Sequence, residues 1–127
     1  MRRENWPALL QHHIRIATFA WGENDCVLWC AEWINTVTGE DYAKEFRAKY
    51  STEAEAQRLL ADLGATCAAD LADKYLPPIG VSFAQRGDIV LHPEGAIGIC
   101  DGQFSHFLTV DGLSRLGTLK CLKAWRV

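Results

Sequence analysis

The stretch Phe19-Ala20-Trp21-Gly22-Glu23-Asn24-Asp25-Cys26 runs straight into Val27-Leu28-Trp29-Cys30-Ala31-Glu32-Trp33-Ile34-Asn35-Thr36-Val37-Thr38, and Gly39 follows. Asn24 or Asp25 can cap a helix that starts near Cys26 and ends before Gly39. Cys26, Cys30, Trp33 and Val37 then fall on one stripe, flanked by Val27 and Ile34. The segment therefore sets a cysteine on the first turn of an apolar helix. A helix N-terminus presents unpaired N–H groups and about half a positive charge. That environment favours thiolate over thiol and makes a nucleophile. The same position also suits a small core residue, because free cysteine is among the most buried residue types.

Working outward, a first helix is expected from Asn5 to about Ala17, with Asn5 as cap and Pro7 in its first turn. Trp6, Leu9, Leu10, His13, Ile14 and Ala17 recur at helical spacing, which places His12 and His13 on this helix, one of them near the surface. A short, mostly exposed helix is expected over Asp41 to Tyr50. Thr52 and Glu55 form a capping-box pattern ahead of Leu59, Leu60 and Leu63, and Gly64 ends that helix. A short helix around Ala68–Tyr75 completes this half. Leu76-Pro77-Pro78 is a break that no helix crosses.

Beyond the break the pattern changes to short apolar runs and turn pairs. Asp88 to His92 reads as a strand, Pro93-Glu94-Gly95 as a turn and Ala96 to Cys100 as the next strand. Asp101-Gly102 and Asp111-Gly112 are hairpin signals on either side of a strand over Gln103 to Val110, and Leu122 to Val127 is the last strand. Sequential strands joined by tight turns are antiparallel. Helices followed by strands without alternation predict an α+β fold, with a helical half over residues 1–76 packed on an antiparallel sheet over 79–127, in one domain spanning 1–127.

With 127 residues, 49% apolar and 23% charged, the composition is that of one globular domain. Lys plus Arg is 13 and Asp plus Glu is 16, a net charge of -3, which argues against nucleic acid as a partner. No apolar run approaches the about 20 residues that span a bilayer, so no membrane insertion is expected. Two arginines near the start have no hydrophobic stretch behind them, so the N-terminus does not read as a secretory signal peptide. Five cysteines at irregular spacing are not a disulfide framework, and reduced thiols are expected. No Cys-x-x-Cys occurs, and neither a metal nor a cofactor is expected.

Trp21-Gly22-x-x-Asp25-Cys26 opening a helix, Gly87-Asp88-Ile89-Val90 on a strand and Ile97-Gly98-Ile99 on the next resemble the NlpC/P60 cysteine peptidases. The resemblance implies a papain-like α+β domain acting on peptide bonds of bacterial cell-wall stems. It places the nucleophile at Cys26 and the residue that orients the base at His106, in Gly102-Gln103-Phe104-Ser105-His106. The base position falls on Ala96, and alanine accepts no proton. His106 from the neighbouring strand, or His92 at the end of the preceding one, would have to substitute.

A second resemblance covers more of the pattern. Small prophage proteins related to NlpC/P60 domains share a leading Trp (Trp6), the Phe-x-Trp-Gly-x-x-Asp-Cys box, Thr38-Gly39-Glu40-Asp41, Phe46-Arg47-Ala48-Lys49-Tyr50 and an Ala124-Trp125-Arg126-Val127 end. This likeness implies a tail-tip or baseplate protein of a bacteriophage, made in the host cytoplasm and resident in the virion. The expected partners are other tail proteins, with peptidoglycan as a further one. Three functions follow: a structural component with an incomplete Cys–His site, an active cell-wall peptidase or amidase, or a non-catalytic module that holds a muropeptide. The first is the leading expectation because of Ala96.

Overall fold

The computed structural model describes residues 2–127. Helix α1 spans Trp6–Arg15 with Pro7 in its first turn; Asn5 occupies the cap position, but its side chain makes no capping hydrogen bond. Helix α2 spans Cys26–Thr38. Of the two candidate caps, Asp25 does the work: its Oδ1 accepts the Leu28 N–H at 3.1 Å. Gly39 closes the helix in the left-handed conformation, its N–H donating to Asn35 O at 2.9 Å. Helix α3, Glu53–Asp62, begins at the expected capping box, with Thr52 Oγ1 accepting the Glu55 N–H at 3.2 Å. Helix α4 is Ala68–Tyr75.

The helix expected over Asp41 to Tyr50 does not form. The segment is a run of turns, with Ala48 in the left-handed region at φ 61°. Nor is it mostly exposed, since Ala43, Phe46 and Tyr50 are buried in a cluster with Leu28, Ala31 and Leu71. Tertiary packing overrides a weak local preference here. A straight helix turns one stripe inward, whereas these three residues must reach different neighbours on α2 and α4.

Six strands form one antiparallel sheet: β1 (Pro78–Ile79), β2 (Ile89–Leu91), β3 (Ile97–Cys100), β4 (Phe104–Thr109), β5 (Gly112–Gly117) and β6 (Lys123–Trp125), in the spatial order β1-β6-β2-β3-β4-β5. β5 continues the hairpin that Asp111-Gly112 turns. Successive pairing holds from β2 to β5, but β6 returns to lie between β1 and β2, with Val90 opposite both Gly98 and Ala124. The return supplies a second partner to β2, whose residues are all buried, so that both of its edges are paired.

Ile89, Leu91, Ile97, Ile99 and Trp125 face the helices and pack with Leu10, Trp29, Trp33 and Val37. Val90, Cys100, Phe107 and Ala124 point to the other face. Among the described residues no α-helix covers that face; two short 3₁₀ turns, Val81–Phe83 and Thr118–Lys120, lie against each other along it. The architecture is thus α+β, with a helical N-terminal half packed on one face of an antiparallel sheet.

Candidate functional site

Cys26 opens α2 and lines a cleft of about 310 Å³. One wall is α3, through Ala56, Leu59 and Leu60; the rest comes from Trp21, Phe46, Tyr50, Cys67, Leu71 and the turn residues Glu94 and Gly95. The box and the Phe-Arg-x-x-Tyr segment, separate in sequence, meet at this cleft. Tyr50 donates its hydroxyl to Asp25 Oδ2. The same oxygen accepts the Gly22 N–H at 3.1 Å, so the buried Asp25 carboxylate ties together the loop, the helix start and the turn segment. Gly22 has φ +76°, and a Cβ there would stand 1.7 Å from Tyr50 O. Glycine is therefore required both for conformation and for room. Ala48 N–H donates to Gly22 O at 3.0 Å and completes the junction.

The thiol does not have the character that its place on the helix suggests. Cys26 is only partly exposed, and burial pushes its thiol up to about 11, with the Asp25 charge adding to the rise. Backbone N–H groups of Ile97, Val27 and Cys26 itself pull the other way, and lose. Asp25 adds to the burial because it is the helix cap, so its carboxylate already occupies the positive end of α2 that would have stabilised a thiolate. Cys30, one turn on, is fully buried, and its thiol is pushed well above the usual range by burial.

The histidines lie elsewhere. The cleft lining includes Asp25, Glu53 and Glu94 but no His, Lys or Arg. Ile97 brings β3 to the sulfur through its amide. The residue before it, Ala96, packs against the Val90–Cys100–Phe107 cluster on the outer face. His92 stacks edge-on against Phe107, with ring centroids 4.9 Å apart, and its Nδ1 accepts the Glu94 N–H at 3.0 Å. His106 sits on β4 opposite Ile99 and places Nε2 3.4 Å from Asp101, which also binds Arg86 Nε at 3.0 Å. Neither ring borders the cleft. His12 is exposed. His13 is buried, stacked on Trp29, with Nε2 2.8 Å from Trp29 O.

Sequence reasoning missed Tyr50 as a site residue. Its signal was the Phe46-Arg47-x-x-Tyr50 spacing, which reads as a helix unless the fold is known. Chemically, the arrangement joins the thiols of Cys26 and Cys67, a phenol and carboxylates at an apolar cleft. It can hold a ligand, but among the described lining residues it supplies no group to ionise the sulfur.

An α+β protein with one thiol at the head of a buried helix and a second, Cys67, beside it in the lining of an apolar cleft that no imidazole borders is the class that this geometry defines. Residues 1–127 match the family described as Domain of unknown function (DUF6950), and the chain belongs to that family. No curated protein matches the chain. No solved structure matches it either.

Proposed function

We propose that the chain is a structural component of a bacteriophage tail tip or baseplate, built on a papain-like NlpC/P60-type scaffold whose Cys–His site is incomplete and inactive. The observation that carries the inactive half is the cleft: Cys26 lines it, and no imidazole borders it. The tail half rests on the prophage resemblance, and the structure gives its motif residues packing roles rather than chemical ones. Asp25 is bonded by Tyr50, Asp41 is paired with Arg47 at 3.3 Å, Trp125 Nε1 donates to Asp73, and Val127 N–H donates to Asp88. A scaffold retained without its chemistry would keep such residues. Exposed Phe83, Leu119 and Leu122 on and beside the 3₁₀ turns leave apolar surface of the kind that neighbours in an assembly cover.

Mass spectrometry of purified virions tests the reading: the chain is expected among the tail proteins, and its absence from the particle overturns it. An active cell-wall peptidase or amidase is the second reading, favoured by Cys26 lining an open cleft. Under the first reading, purified protein leaves peptidoglycan turbidity unchanged. Clearing by the wild type that Cys26→Ala abolishes would replace it with the second.

A further inference from the structure

Helix α3 is held unlike the other helices. None of its ten residues is buried, whereas α2 buries seven. Its side-chain hydrogen bonds are local, between Glu55 and the neighbouring Ser51 and Thr52. Among the described residues, no side-chain hydrogen bond or ion pair ties α3 to α2, α4 or the sheet. Only the half-buried Ala56, Leu59 and Leu60, with Leu63 just beyond, touch the cluster of Leu28, Phe46, Tyr50 and Leu71. These same side chains wall the Cys26 cleft. The helix is bounded by exposed backbone at both ends: Ser51 and Thr52 before it, and Gly64 after it, at φ +78° with open space around it.

From this we infer that α3 is a lid. It comes off the rim between Ser51–Thr52 and Gly64 and loses its helical hydrogen bonds as it does so, opening and closing the cleft over Cys26. The motion breaks apolar contacts at the rim and α3's own hydrogen bonds, including the Ala65 N–H to Leu60 O bond at 2.9 Å across Gly64, and leaves the main core, which α3 does not enter, intact. Elements with few buried contacts open at low free energy, the general condition for a moving part. The lid follows from packing alone and holds whether the cleft cuts, binds or stands idle.

Hydrogen exchange followed by mass spectrometry on the full chain tests it. Amides of α3 are expected to exchange at least about tenfold faster than those of α2. Protection of α3 equal to that of α2 overturns the lid. A second measurement uses Leu60→Glu, which removes the contact holding the lid down. N-ethylmaleimide labelling of Cys26, read peptide by peptide, is expected to rise at least about tenfold while Cys30 stays unlabelled. An unchanged Cys26 rate with Cys30 still protected also overturns it. If Cys30 is labelled too, the variant has unfolded, and the exchange rates of the wild type decide the matter.

Discussion

Asp25 sets the character of the site. It caps α2, anchors the Gly22 loop and receives the Tyr50 hydroxyl, and in doing so it fills the helix end that would otherwise favour a thiolate. Alkylation of Cys26 by iodoacetamide should therefore rise about tenfold per pH unit and level off only near 11. Asp25→Asn keeps a capping side chain but removes the charge, so that plateau should move to lower pH; an unmoved profile would mean that burial alone sets the thiol. Tyr50→Phe strips a buried carboxylate of one partner and should cost about 1–3 kcal/mol in urea denaturation. Gly22→Ala drives a methyl into the Tyr50 carbonyl and should cost more, about 3 kcal/mol or above by the same measurement.

Helix packing turns on His13, where α1 crosses α2. Burial holds its imidazole below the ordinary 6.5, against smaller upward pulls from the Trp29 carbonyl and Glu32. The unfolded chain thus binds a proton near pH 6.5 that the native chain refuses. Stability should be full above that pH and fall as the pH drops below it, down to the depressed native value. Thermal melts from pH 8 to 5 check this, and His13→Gln should flatten the slope. The neighbouring tryptophans show why the helices bury so much aromatic surface at low polar cost. Trp29, Trp33 and Trp125 are all fully buried, and each donates its N–H, to His13 O, Gly87 O and Asp73 respectively.

At the scale of the molecule, both ends of the chain close on one carboxylate. Arg2 reaches Asp88 at 2.8 Å and donates Nε to Val127 O at 3.1 Å, while Val127 N–H donates to the same Asp88 oxygen at 3.0 Å. Asp88 is buried and Arg2 largely so. Arg2→Ala should therefore leave an under-satisfied buried charge and cost about 2–3 kcal/mol, lowering Tm by roughly 5–10 °C in a thermal melt. The outer face behaves differently. Replacing Phe83 and Leu119 together by serine should change stability by about 0.5 kcal/mol or less, because both are exposed, while abolishing incorporation into virions if tail proteins cover them. Normal incorporation of that double variant would remove the patch from the tail reading.

Much of this architecture was legible in the residue order. The 3.6-residue stripe from Cys26 to Val37, the Thr52–Glu55 capping box and the Asp111-Gly112 turn act within a few residues, so periodicity and capping reveal them directly. The thiol at the head of α2 was legible for the same reason. Tertiary structure alone decided three things that depend on distant partners. It unwound residues 41–50 to bury Phe46 and Tyr50. It threaded β6 back beside β2. It left His92 and His106 outside the cleft lining while joining Tyr50 to Asp25. A thiol's proton affinity depends on what surrounds it in space, and neighbours twenty-five and seventy residues away along the chain carry no signature in local periodicity.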